Sequence, residues 1–310
     1  MSQRLYPSCH ILEMFMPYLK EETRLIDVLE KIAAKDFYRH VELPTFADEA
    51  NRRYVRSFLE SHGLDALTYV APYFNEKKLA VCDLDPEVRR AALEMAKHHA
   101  ELAADAGYKT FGIPSGKDPG PERRAEMMRY EADALAEMAE FCQKLGMYLT
   151  LEPLDRYTAK KQVIGPMPEV CEWFRPIHEA HPNAFLHWDS AHEALGYIDL
   201  MYSLDCCAPF MSQIHLCDAI TDPTHPCFGD LHKDCAHAPD WETEGFLTPE
   251  VGAQILKKAA SFDKPEGKNY VWVSVEILGH KGNDLWHKEE LARGFLTRCF
   301  ELAGLELGRA

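Results

Sequence analysis

No stretch of the 310 residues approaches the ~18 consecutive apolar positions that a membrane-crossing helix needs. Positive charge is also scarce. Lys and Arg number 34 against 50 Asp and Glu, a formal charge of −16, so nucleic acid and acidic membranes would be repelled and are not expected partners. No Cys-x-x-Cys pair occurs among the ten cysteines. Their irregular spacing suits reduced, mostly buried thiols of a cytoplasmic protein, with Cys206-Cys207 on a helix or at its end. No Gly-x-Gly-x-x-Gly follows a strand-like run, which weakens a dinucleotide-binding reading. The opening Met-Ser-Gln-Arg-Leu-Tyr-Pro lacks a long apolar run with a cleavage site, so no secretory signal is expected.

What is present is alternation. The apolar share of 46% allows a sizeable core. Helical stretches end in Gly63, Gly107 and Gly146, each followed closely by a strand-like run, the spacing of parallel βαβ units. Asp85 and Pro86 can start one helix, whose Val88, Ala92, Met95, Ala96, His99, Leu102, Ala103 and Ala106 share a face. A second helix over about 122–145 places Leu135, Met138, Ala139 and Cys142 together, and a last one runs over about 285–302. Strands are expected near 8–13, 37–43, 65–71, 109–113, 147–152, 184–189, 211–217 and 271–276. Eight strands alternating with helices predict an α/β chain closed into one (β/α)8 TIM barrel over residues 1–310, with a long connection at 218–247 after strand seven. That connection carries His225, His232 and His237, whose spacing suits a solvated lid better than a second metal site.

Four strand-like runs end in a metal-loving residue: Leu149-Thr150-Leu151-Glu152, Phe185-Leu186-His187-Trp188-Asp189, Gln213-Ile214-His215 and Trp272-Val273-Ser274-Val275-Glu276. Residues at the C-terminal ends of successive barrel strands converge on one point. Three carboxylates and one imidazole there favour a divalent cation of the Mn²⁺, Co²⁺ or Mg²⁺ type over a thiolate-held zinc. Such an ion would hold two neighbouring oxygens of a sugar, polarise a carbonyl and stabilise an enediolate. One glutamate would take a proton beside the carbonyl and the other return one, inverting a stereocentre or interconverting aldose and ketose.

These runs also carry a resemblance, through Leu151-Glu152-Pro153-Leu154-Asp155-Arg156-Tyr157, His187-Trp188-Asp189-Ser190-Ala191-His192, Ile214-His215-Leu216-Cys217-Asp218 and Val275-Glu276-Ile277. From about His10 to the final helix, the chain resembles the sugar isomerase/epimerase superfamily with the xylose-isomerase-like barrel, which includes ketose 3-epimerases, inosose-processing enzymes and hydroxypyruvate isomerases. The resemblance implies that Glu152, Asp189, His215 and Glu276 bind one metal, Mn²⁺ foremost with Co²⁺, Mg²⁺ or Zn²⁺ as alternatives. It also implies that Glu152 and Glu276 transfer the proton, that His192 contacts substrate and that Arg156 supports the site. The implied activity is a metal-dependent isomerase or epimerase of a sugar, keto-sugar or polyol derivative. The alternative is a lyase acting on 3-keto (carbon-)glycosides, as in the catalytic subunits of carbon-glycoside deglycosidases, with a small partner subunit. A homo-oligomer is the expected assembly. Two departures from ketose 3-epimerases bear on the substrate, because Thr158 stands where they carry an acidic residue and Thr221 where they carry an arginine.

Plainer roles remain for single residues. Glu152 alone could be an ion-pair partner of Arg156, and Cys217 a small buried thiol. His10, His40 and Glu42 are expected near the first two strand ends, Glu42 in a supporting role and none of the three catalytic. Thr110 to Gly116 is expected to line the barrel mouth.

Overall fold

In a computed structural model that describes residues 4–230, 245–263 and 270–307, eight parallel strands close into a barrel. They are β1 (Arg4–Cys9), β2 (His40–Glu42), β3 (Asp65–Tyr69), β4 (Thr110–Pro114), β5 (Tyr148–Glu152), β6 (Ala184–Asp189), β7 (Met211–Leu216) and, after a two-stranded excursion, β10 (Tyr270–Val275). The last pairs with both β7 and β1 and so closes the ring. Every residue of β6 and β7 is buried, as parallel strands covered by helices require.

The helices are α1 (Ile11–Met14), α2 (Glu22–Ala33), α3 (Glu49–His62), α4 (Ala71–Lys77), α5 (Pro86–Asp105), α6 (Pro121–Lys144), α7 (Met167–Ala180), α8 (Ser190–Leu195), α9 (Leu200–Cys207), α10 (Pro249–Ala260) and α11 (Leu285–Ala303). Their ends follow from local chemistry. The Asp85 carboxylate accepts the Glu87 amide at the start of α5, and Pro86 occupies the first turn, where its missing N–H costs nothing. Gly63, Gly107 and Gly146 all have positive φ where the chain turns from helix into strand. Ala92, Ala96, Ala100 and Ala103 form the buried stripe of α5, and small side chains there let the helix lie close to the sheet. Met95 and His99 stay half-buried, His99 stacking on Tyr73 and bonding the Thr45 hydroxyl.

Two expected spans need correction. The first strand lies at Arg4–Cys9 rather than 8–13, and Ile11 to Met14 is a helical turn. Pro7 reads as a strand breaker, yet it pairs in register with Val273 and its carbonyl accepts the Arg39 amide. The apolar run at 11–14 is buried as a turn instead. The second strand is trimmed to His40–Glu42. The long connection after β7 also contains an antiparallel pair, β8 (Ala219–Ile220) with β9 (Gly229–Asp230), too short to show as alternation in sequence. Its His232 and His237 lie outside the described residues, while the His225 ring nitrogen accepts the Cys227 amide in a tight turn.

Register sets the level at which side chains meet. Between β6 and β7 the pairing steps from Leu186–Met211 to His187–Gln213, so that Asp189 lies opposite His215. Such irregularities recur beside active sites, where they re-aim side chains. On the other side His215 pairs with Ser274, two residues before Glu276.

Candidate metal centre and active site

Glu152, Asp189, His215 and Glu276 come together at the C-terminal end of the barrel, each offering a ligand atom within 4.8 Å of the others. Glu152 and Asp189 end β5 and β6, His215 is the penultimate residue of β7, and Glu276 follows β10, its amide bonded to the Leu216 carbonyl. The Ser190 hydroxyl clamps the neighbouring strand ends, donating to the Cys217 carbonyl and accepting its amide. The Cys217 thiol packs with Ala191, Leu195 and Ala219 as a small buried group.

The two nitrogens of His215 face different groups. Nδ1 lies 3.0 Å from Glu276 and 3.8 Å from Glu152, on the carboxylate side. Nε2 lies 2.9 Å from Oε2 of Glu42. Glu42 is wholly buried, yet it meets four partners: His215, His10 Nδ1 at 3.0 Å, and the hydroxyls of Ser274 at 2.6 Å and Ser8 at 3.2 Å. Burial opposes its ionisation, but the His10 and His215 charges override that and hold its carboxyl well below the usual range. A carboxylate behind an imidazole fixes the ring's orientation and leaves the other nitrogen facing inward.

Glu152, Asp189 and Glu276 crowd negative charge into a largely buried site. Burial first, then the Glu276 charge, pushes Glu152 up to about 8, and burial lifts Asp189 to about 6. Asp189 Oδ2 and Glu152 Oε1 are buried with no hydrogen-bond partner among the described residues. Unsatisfied carboxylate oxygens at such a place call for a cation. Oxygens on opposite sides of one divalent ion lie roughly 4 Å apart, so the spread of this set needs only a small contraction around one. The residues therefore fit a hard or borderline divalent cation.

His192 lines the same cavity. Its amide caps onto Asp189 Oδ1, and its Nδ1 lies 3.4 Å from Asp155, which also gathers the amides of Thr158, Ala159 and Lys160. Burial works against the imidazolium, but Asp189 and Asp155 raise His192 to about 9. Arg156 points elsewhere. Its guanidinium bonds Glu169 at 2.8 Å and the Val163 carbonyl at 3.1 Å rather than pairing with Glu152. Ile113 to Gly116 do line the mouth.

Sequence reasoning underweighted Glu42 and missed Tyr69 and His187. The Tyr69 hydroxyl bonds His187 Nδ1, which lies 3.6 Å from Glu152. Tyr69 reaches across only because the neighbouring strand carries Gly112, where a Cβ would sit 2.1 Å from the Tyr69 ring. The available signal was the Gly in Thr-Phe-Gly-Ile-Pro, since a glycine inside a strand marks a close approach.

Residues 29–294 match the family described as xylose isomerase-like TIM barrel, and the chain belongs to that family. Its solved structural neighbours include sugar epimerases. A D-psicose 3-epimerase from Clostridium cellulolyticum H10, solved with D-tagatose, has a TM-score of 0.66 at 12% identity over 98% of this chain and 99% of that one. A D-tagatose 3-epimerase-like protein gives 0.64 at 16% over 96% and 99%. A 3-keto-D-glucoside 4-epimerase from E. coli gives 0.58 at 14% over 96% and 99%. Identities this low establish a shared fold, and function has to be argued from the site. No curated protein matches the chain in sequence. No helix among the described residues is long and apolar enough to cross a membrane.

Proposed function

We propose that this chain is a metal-dependent isomerase or epimerase of a sugar or keto-sugar, with Glu152, Asp189, His215 and Glu276 as ligands and the two glutamates as proton-transfer groups. The observation that carries this reading is the convergence of those four side chains within 4.8 Å at the barrel's C-terminal end. A divalent cation held there, Mn²⁺ by preference, would polarise a substrate carbonyl and offset the charge left when the adjacent C–H is deprotonated. Glu152 and Glu276 come from non-adjacent staves of the barrel, β5 and the end of β10, and both line the cavity. A substrate carbon between them would lose its proton to one carboxylate and regain one from the other. His192, held by Asp155 and Asp189, would orient a substrate hydroxyl. Glu42 would keep the His215 ring turned so that Nδ1 faces the ligand set. The sugar-epimerase neighbours agree with this chemistry.

The test has two arms. Calorimetric titration of the chelator-treated protein with Mn²⁺ should show one site per chain, lost in Asp189→Asn. Metal-loaded protein in deuterated water should then place deuterium beside the carbonyl of a keto-sugar substrate, and Glu276→Gln should not. Exchange that survives Glu276→Gln would refute the proposed proton transfer.

A further inference from the structure

Tyr69 ends β3 and lines the cavity together with Glu152, Glu276 and His192, yet the proposed chemistry gives it no task. Its ring is firmly held. Leu12 and Leu67 pack with it, and in the strand pairing it faces Gly112, where a Cβ would lie 2.1 Å from the ring. Only 4% of the residue is exposed. A large polar side chain is thus fixed in the wall of a ligand cavity by a neighbour that carries no side chain at all.

What the hydroxyl can do follows from its one partner. Tyr69 Oη bonds Nδ1 of His187 and has no other hydrogen-bond partner among the described residues. His187 is fully buried, and its Nε2 has no partner there either. A proton on Nε2 would be a buried N–H without an acceptor, the rarer and costlier kind of orphan. The ring proton therefore sits on Nδ1, in the neutral imidazole and in the imidazolium alike. Glu152 lies 3.6 Å from that nitrogen, beyond hydrogen-bond range, so the phenol oxygen receives the proton. That bond occupies a lone pair of Tyr69 and leaves its own O–H as a spare donor. Burial, then the Glu152 charge, raises the phenol well above its ordinary pKa, which keeps the proton on the oxygen.

We propose that the Tyr69 hydroxyl is a catalytic hydrogen-bond donor to the substrate oxygen on which negative charge develops when a glutamate removes the adjacent proton. The phenol itself transfers no proton. The C–H proton passes to the carboxylate and its electron pair moves toward the carbonyl oxygen. The O–H of Tyr69 stabilises that oxygen while His187 keeps the phenol in place. The inference rests on the proposed enediolate chemistry. It adds a donor on the β3 side of the cavity, three staves from β6, which His192 follows.

Acetohydroxamate tests it, because its two adjacent oxygens reproduce those of an enediolate and chelate a divalent cation, whichever sugar is the substrate. Calorimetry on the Mn²⁺-loaded protein reads its affinity. Tyr69→Phe should bind the hydroxamate at least about tenfold more weakly, the cost of one hydrogen bond to a charged oxygen, with Mn²⁺ affinity unchanged. Gly112→Ala, whose new Cβ displaces the Tyr69 ring, should show the same loss; if circular dichroism shows that it does not fold, Tyr69→Phe decides alone. Hydroxamate affinity unchanged by Tyr69→Phe, or no hydroxamate binding to the Mn²⁺-loaded parent, would overturn the proposal. So would a loss matched by an equal loss of Mn²⁺ affinity, which would make Tyr69 a support for the ligand set alone. Failure of the metal reading would look different, as missing Mn²⁺ binding in the parent protein, and the inference would fall with it.

Discussion

Glu152 and Glu131 are both carboxyls withdrawn from water, and burial is the largest influence on each, raising both to about 8. Their surroundings differ. Glu152 ends a barrel strand, opens to the cavity, and lies beside His187, His215, Asp189 and Glu276. Glu131 is on α6 at the flank of the barrel, 0% exposed, with neither oxygen hydrogen-bonded among the described residues and weak compensation from the Cys82 thiol. A perturbed carboxyl is therefore no mark of a site by itself. The mark is company: further carboxylates at matching strand ends, an imidazole turned inward by Glu42, and a cavity that opens onto the group.

If that distinction holds, the largest effects belong to the cavity end. Glu276→Gln and Glu152→Gln should each lower the rate of deuterium uptake by at least about a hundredfold, the usual minimum for a general acid or base, whereas Glu131→Gln should leave it unchanged. Mass spectrometry of recovered substrate reads all three. Next comes Glu42→Gln, which keeps the shape but removes the charge behind His215. Mn²⁺ affinity should fall by roughly 10- to 100-fold, the usual cost of losing such a partner. Unaltered affinity would mean that Glu42 serves packing alone.

How far the sequence disclosed this contrast depends on where each residue sits. The barrel and the four converging residues were legible because parallel strands repeat a strong local pattern and each of these carboxylates and the imidazole falls at a strand's C-terminal end. Glu42 was weakly legible. A three-residue strand carries little periodicity, and its partners His10, Ser8, Ser274 and His215 come from distant parts of the chain. Tyr69 and His187 look like ordinary strand residues until Gly112 is seen to clear their path. Arg156 fits its motif, yet its direction is set by Glu169, thirteen residues on, in a helix whose approach no local pattern reveals. The β1 register was masked by Pro7. Glu131 was invisible because a glutamate inside an amphipathic helix ordinarily faces water.

At Glu131 the prediction concerns stability rather than turnover. Its pKa is raised from the ordinary 4.5 to about 8 in the folded chain. Below 4.5 both folded and unfolded forms are protonated, and nothing depends on pH. Between 4.5 and about 8 the unfolded chain ionises while the folded one does not, so stability falls as pH rises, by roughly 1.4 kcal/mol per unit at most. Glu131→Gln removes that loss. Thermal melts should show the variant and the parent close together at pH 5, with the variant clearly more stable at pH 8. Parallel pH dependence in the two proteins would show that Glu131 is solvated or paired.

The smallest effect sharpens the same point, because Glu131 should become tolerable if given company. The Cys82 thiol beside it is a weak donor, already accepting the Gly116 amide at 3.2 Å. Cys82→Ser substitutes a hydroxyl that donates more strongly to an ionised carboxylate and is nearly the same size. One such bond is worth about 1 kcal/mol, so the stability lost between pH 5 and pH 8 should shrink by about that much while deuterium uptake stays unchanged. Adding a single donor at Glu131 should therefore ease its burial without giving it chemistry, because no second carboxylate, imidazole or opening to the cavity comes with it.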